Sequence, residues 1–254
     1  MPSGRSALPA TATVPIGEAS RIVQEIRKAL VAGGSPIVAT AQQKFFRDPI
    51  RSHGWKTAAL RRFAHEWRRR LLKERGFPFV LEAADQLFQP GFEEEKTFAI
   101  FLLEQSPAKL SDSEFRLFES WLDRVENWGD HDGLTIYLIG PMMLAKPQRV
   151  KRVRHWARSR NLWHRRAAAV SLIRGIRRGL FWEESQAVAG ILLSDQELVV
   201  QKGLGWMLRE ASKANPRRTV PFLMSIRERT SRLVLRTACE TLEQKVRKRV
   251  LERT

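Results

Sequence analysis

The segment Asn161-Leu162-Trp163-His164-Arg165-Arg166-Ala167-Ala168-Ala169 carries the reading of the fold. Three consecutive alanines follow a tryptophan and two arginines, and nothing in the run breaks a helix. A second segment, Val200-Gln201-Lys202-Gly203-Leu204-Gly205-Trp206-Met207-Leu208-Arg209, has the same design, with Gly203 and Gly205 as its small residues. Small residues beside a tryptophan and cations let neighbouring helices approach closely, as stacked helical repeats require.

Outward from these two segments, helical periodicity covers almost the whole chain. Apolar spacing predicts helices over 18–32, 36–47, 57–75, 78–88, 93–105, 113–126, 130–145, 147–159, 162–176, 182–193, 197–213, 217–229 and 232–251. Ser111-Asp112-Ser113-Glu114 offers caps ahead of Phe115, Phe118 and Leu122. Asn215-Pro216 opens a further helix with a capping side chain and a proline in the first turn. Lys146-Pro147 ends one helix and starts the next. Short alternating β-branched runs are hard to find, and tyrosine occurs once. Helices joined by short breaks pack antiparallel, and pairs recurring every ~35–45 residues are the mark of a HEAT-type solenoid. Periodicity alone equally allows an irregular bundle; the two small-residue segments favour stacking. The expectation is an all-α fold, a curved solenoid or superhelix of antiparallel HEAT-like repeats, forming a single domain over 18–254. Residues 1–17, rich in Ala, Pro, Ser and Thr and without the apolar stretch of a secretory signal, read as a disordered leader.

Charge narrows the partner. The chain holds 45 Lys and Arg against 27 Asp and Glu, a formal net charge of +18, and arginine far outnumbers lysine. Such a field attracts polyanions, and the planar guanidinium can bond a phosphate through two donors at once. Between 133 and 182 there is no carboxylate, while Lys146, Arg149, Lys151, Arg152, Arg154, Arg158, Arg160, Arg165, Arg166, Arg174, Arg177 and Arg178 all fall there. A solvated helix face normally mixes both signs, so this block points to nucleic acid ahead of an acidic membrane or protein. No apolar run approaches the ~18 residues of a membrane span. Cys239 stands alone, which excludes an internal disulfide framework and fits a reducing cytoplasm.

Three segments share a spacing that puts tryptophan and charge on one helical face: Trp128 with Asp132, Trp163 with Arg166, and Trp206 with Lys202 and Arg209. Taken singly, each tryptophan is as well explained as core, each arginine as a surface ion pair, and Asp130 and Asp132 as carboxylates at a helix start. Asp130-His131-Asp132 suggests a metal at first sight. Adjacent helical residues point about 100° apart, however, and no second His, Cys or spaced carboxylate completes a site. No phosphate-binding glycine loop, serine elbow or paired-carboxylate signature is present, and no cofactor is implied.

The order Trp128-x-x-x-Asp132, Leu162-Trp163-x-x-Arg166-Ala167-Ala168 and Gln201-Lys202-x-x-Gly205-Trp206-x-Leu208-Arg209-Glu210 resembles the AlkD-type DNA alkylation repair glycosylases, a HEAT-like repeat family. The likeness extends through Leu87-x-x-x-x-Phe92-Glu93-Glu94 and Gly54-x-x-Thr57, and spans about 41–251. It departs in the N-terminal third. Ala58 replaces a proline, Arg61-Arg62 is displaced, and Phe45 and Lys56 stand where members carry Tyr and Gln.

The resemblance implies excision of cationic N3- and N7-alkylpurines from duplex DNA without enclosing the base, and a solenoid that wraps DNA is expected to act as a monomer. The resemblance assigns catalysis to Asp132 with Arg166 beside it, and faces Trp128 and Trp206 to the lesion. Lys56, Arg154, Arg165, Lys202 and Arg209 are expected along the DNA backbone. The chemistry is consistent with that set. A cationic base departs neutral and needs no acid, so one carboxylate suffices to stabilise an oxocarbenium-like sugar and position water. The indoles attract the cation, while Arg166 is expected to clamp a phosphate and limit the cost of burying Asp132. The rival readings are a non-catalytic HEAT-like protein that binds DNA or structured nucleic acid, and a protein-interaction scaffold.

Overall fold

The computed structural model describes residues 17–105 and 107–252, so the expected leader lies outside the described residues except for Gly17. Every regular element among them is helical, and a lone bridge joins Arg51 to Phe92. Sixteen α-helices follow in order: α1 Glu18–Ala32, α2 Pro36–Gln43, α3 Thr57–Arg75, α4 Phe77–Leu87, α5 Glu93–Leu103, α6 Asp112–Trp121, α7 Trp128–Leu134, α8 Gly140–Ala145, α9 Val153–Trp156, α10 Leu162–Val170, α11 Ile173–Ile176, α12 Trp182–Leu192, α13 Leu198–Ala214, α14 Pro216–Ile226, α15 Arg232–Ala238 and α16 Gln244–Leu251.

Six of the helices, α2, α6, α7, α10, α14 and α15, start at a side-chain cap. Ser111 forms a full capping box with Glu114 at the head of α6, and Asn215 caps α14 ahead of Pro216. The stretch expected to begin at Asp130 starts two residues earlier. Asn127 caps it, its Oδ1 accepting from the N–H groups of Gly129 at 2.8 Å and Asp130 at 3.2 Å. Several long spans are interrupted. α7 passes into α8 through a π-helical segment, Thr135–Ile139, and Pro147–Arg152 is a 3₁₀ helix ahead of α9. The 162–176 span breaks after Val170, where Ser171 Oγ donates back to the Ala167 carbonyl at 2.6 Å and competes with the helical ladder. The 232–251 span divides into α15 and α16.

Packing runs largely between elements close in chain order: α1 on α4, α3 on α4 and α5, α5 on α7, α7 on α10, α10 on α13, and α13 on α15. One hydrophobic cluster extends from Val23 to Val250 and includes the fully buried Trp121 and Trp156. Gly203 and Gly205 do what small residues at these positions are for. A β-carbon on Gly205 would lie 2.8 Å from Thr237 Cβ on α15, and one on Gly203 would lie 3.0 Å from Arg166 Cγ on α10. Gly205→Ala therefore forces α13 off α15. Overpacking of about 1–3 kcal/mol outweighs the ~1 kcal/mol of helix propensity gained, and the variant should melt at a lower temperature than the parent.

Candidate active site

Helices α3, α5, α7 and α13, with the π-helical segment and the chain between α2 and α3, wall a cleft of about 630 Å³. Phe45, Phe46, Ile50, Phe101, Trp128, Ile136, Tyr137 and Trp206 give it a largely apolar surface, and Arg61, Glu93 and Asp132 bring charge to it. The cleft opens at the carboxylate singled out in the sequence.

Asp132 sits one turn after Trp128 on α7, with 20 % of its side chain exposed. Arg166 grips it through both oxygens, Nε donating to Oδ1 at 3.0 Å and Nη2 to Oδ2 at 2.8 Å. Its Nη1 donates to the Val199 carbonyl. Each guanidinium nitrogen is therefore engaged within the protein, and the residue is 5 % exposed. Arg166 holds the carboxylate instead of offering the free phosphate clamp expected from sequence.

His131 completes the arrangement. It is fully buried, and its Nδ1 lies 2.8 Å from Asp132 Oδ1. Burial drives its pKa down, so the ring is neutral. With Nδ1 protonated the ring donates to that carboxylate, and the Arg166 Nε also reaches Nδ1 at 3.3 Å. Burial works to raise the pKa of Asp132, but the His131 hydrogen bond and the Arg166 charge prevail and hold it below the usual carboxylate range. Asp132 is ionised at neutral pH. Of its roughly four acceptor sites, two on Oδ1 and one on Oδ2 are taken. Oδ2 keeps one for a guest.

The three tryptophans divide. Trp128 is 41 % exposed, lines the cleft and stacks one face on Phe46, with ring centroids 4.9 Å apart. Trp206 lines it too and donates through Nε1 to Glu210 at 3.3 Å. Trp163 instead packs against His131 and the core, 5.8 Å from the imidazole. Asp130, next to the catalytic candidate in sequence, points away into the interior. Its Oδ2 accepts from the fully buried Lys96 Nζ at 2.6 Å, and Lys96 also binds Glu126. Burial raises the Asp130 pKa against the pull of that ammonium.

The cationic block is less uniform in space than in sequence. Lys146 and Arg149 bind Asp112, Arg152 binds Glu119, Arg165 binds Asp195, Arg166 binds Asp132 and Arg177 binds Glu210. Half the block is paired with carboxylates from outside it. Among the residues expected along a DNA backbone, Lys56, Arg154 and Lys202 are exposed. Arg165 is held by Asp195 at 2.6 Å, and Arg209 by Glu240 at 2.7 Å.

Sequence reasoning missed Glu93 and Phe46 as cleft residues and Lys96 as their buried neighbour. The Glu93-Glu94-Glu95-Lys96 run was the available signal, but it reads as an acidic first turn. In the structure burial, then the Asp130 charge, pushes the Glu93 pKa up to about 8. A carboxyl whose folded pKa exceeds its ordinary 4.5 destabilises the fold progressively as pH rises between those values. Glu93→Gln should therefore match the parent's stability near pH 4 and exceed it by pH 8, by on the order of a few kcal/mol, in thermal melts. A constant difference across that range would refute the assignment.

The chain belongs to the DNA alkylation repair enzyme family, whose model matches residues 26–242. Its fold is similar to that of a solved "Predicted DNA alkylation repair enzyme from Enterococcus faecalis", at 16 % identity over 83 % of this chain and 97 % of that one, with a TM-score of 0.75. It is also similar to smu.31 from Streptococcus mutans UA159, at 19 % identity over 74 % and 99 % of the two chains, TM-score 0.55. No curated protein matches it. Among the described residues no helix is long and apolar enough to cross a membrane, and no group of three or more His, Cys, Asp or Glu could hold a metal ion.

Proposed function

We propose that the protein is a DNA glycosylase that hydrolyses the N-glycosidic bond of cationic N3- and N7-alkylated purines in duplex DNA, acting as a monomer. The observation that carries the reading is the ionised, bidentately anchored Asp132 on the wall of an aromatic cleft. The lesion already bears the positive charge, so the base leaves neutral and the charge passes to the sugar. Asp132 stabilises that charge and accepts the attacking water at Oδ2. Because Arg166 and His131 fix the carboxylate beforehand, no reorganisation is needed as the bond lengthens. Trp128 and Trp206 offer π-faces to the cation, worth ~0.5–2 kcal/mol each.

The duplex is held by its phosphates along Lys56, Arg154 and Lys202, with Arg165 and Arg209 exchanging carboxylate for phosphate on binding. Such contacts carry little sequence information. Replacing Arg154 and Lys202 by alanine should flatten the plot of log affinity against log salt by up to about 2, near 0.9 per lost phosphate contact. An unchanged slope would place the duplex on another face.

The deciding measurement is release of 7-methylguanine and 3-methyladenine from methylated duplex DNA by the purified protein. Release above background establishes the activity. Tight DNA binding without release, even at high protein concentration, would leave a non-catalytic DNA-binding protein as the better reading.

A further inference from the structure

Glu93 stands on the wall of the same cleft as Asp132, and the mechanism above does not use it. It is the first residue of α5, and its N–H donates to the Arg51 carbonyl at 2.9 Å. Oε1 accepts from Asn127 Nδ2 at 2.6 Å, and Oε2 has no hydrogen-bond partner among the described residues. Among the described residues no cation is bonded to it: Lys96 acts on it only through space, and Arg51 lies over the Phe92 ring next to it. On its own helix, Lys96 is spent on Asp130 and Glu126. Glu94 is spent on Ser52 and the N–H groups of His53, Gly54 and Trp55. Asp130 brings negative charge from α7, as does Glu126 just ahead of it. Across the cleft on α3, Arg61 lies over Phe101 and Tyr137 and binds Glu104. The surroundings that raise its pKa to about 8 favour the protonated form of Glu93 at neutral pH, in the same cleft as an Asp132 held below the usual carboxylate range. Two carboxyls driven apart in this way take opposite roles in acid–base chemistry.

We propose that Glu93 is a second catalytic group of this cleft, an acid whose O–H bonds the departing base and transfers its proton to it, so that neutral deaminated purines such as hypoxanthine are also released. The proposal rests on the glycosylase reading and extends its substrate class. Charge explains the division of labour. As a cationic base leaves, positive charge moves from base to sugar, so an anion helps at the sugar and hinders at the base. A neutral acid at the base does not hold the cation back, and it supplies the proton that a neutral base lacks. The C1′–N9 bond breaks with its electron pair passing to the base, which takes the Glu93 proton. A water oxygen held at Asp132 Oδ2 bonds to C1′, its surplus proton passes to solvent, and Glu93 is reprotonated from solvent. Water is the sole co-reactant. A hypoxanthine opposite thymine is weakly paired and leaves the stack more readily than a normal purine, which keeps the acid from acting on undamaged pairs.

The experiment is single-turnover release from duplexes carrying one hypoxanthine or one 7-methylguanine, with parent and Glu93→Gln. The parent should release hypoxanthine at a rate that falls about tenfold per pH unit above about pH 8, with no such limb for 7-methylguanine. Glu93→Gln should lower the hypoxanthine rate by about 10²–10⁴-fold, far more than the 7-methylguanine rate. Release of 7-methylguanine without hypoxanthine overturns the proposal and leaves the alkylpurine reading standing. Hypoxanthine release without the alkaline limb, or a parallel loss of both activities in the variant, also overturns it. Release of neither base removes the underlying reading and the proposal together. The limb is read on the unaltered protein and is independent of any folding defect in the variant.

Discussion

Asp132→Asn should reduce base release from alkylated duplex DNA by at least about 10²–10³-fold, the loss found when a preorganised electrostatic group is removed from a transition state. The substitution preserves shape but removes the negative charge. It also turns an amide N–H₂ toward Arg166, whose nitrogens donate to both carboxylate oxygens. The exposed cations Lys56, Arg154 and Lys202 are untouched, so the dissociation constant for undamaged duplex should move only a few-fold. Release and binding measured side by side separate chemistry from grip. Turnover that survives in the variant would move catalysis to another group, and a collapse of binding would show that Asp132 serves the fold instead. Since Asp132 is held below the usual carboxylate range, release of a cationic base by the parent should be flat from mildly acid to neutral pH.

Lys96→Met should cost about 3–5 kcal/mol of stability, the penalty for leaving a buried carboxylate without its ion partner. Lys96 and Asp130 are both inaccessible to solvent, and the ammonium is the cation bonded to that carboxyl. The sign of the pH dependence follows. Without the ammonium, the Asp130 pKa in the folded state rises further above its unfolded value, so the deficit is smallest in acid and grows as pH climbs between the two. Lys96→Met combined with Asp130→Asn should recover most of the loss, because the uncompensated charge is then gone. Denaturant titrations of the single and double variants at pH 5 and pH 8 provide the check. Equal stability of Lys96→Met and the parent would mean that the pair carries no net weight.

The fold was legible in the sequence because helices announce themselves through apolar spacing and caps, and because alanines and glycines mark close helix contacts. Gly205 against Thr237 is such a contact. The interruptions were not legible, since they come from local competition that periodicity averages out. Ser171 folding back on Ala167 is one case, and the π-helical turn after Leu134 is another. At the site, Asp132, Arg166, Trp128 and Trp206 were legible through spacing and resemblance. Trp163 was not separable from them, because its spacing to Arg166 matches theirs and only the tertiary structure turns it against His131. The Glu93, Lys96 and Asp130 cluster was invisible for a similar reason. Lys96 and Asp130 are 34 positions apart, and nothing local marks a charge that will be buried. The cationic block misled in the same way. Arg149, Arg152 and Arg177 look unopposed along the chain, yet they meet carboxylates more than 30 residues away.

A single amide, Asn127, fastens the first turn of α7 with its oxygen and Glu93 with its nitrogen. The wall that would sort damaged bases and the helix that aims Asp132 therefore share one mechanical joint. Substitutions meant to retune selectivity at Glu93 or Asn127 will swing the aim of the carboxylate as well, trading speed for choice. Phe45 and Ile50 line the cleft and are hydrogen-bonded to neither carboxyl, so reshaping at their side chains alters the cleft without touching that amide.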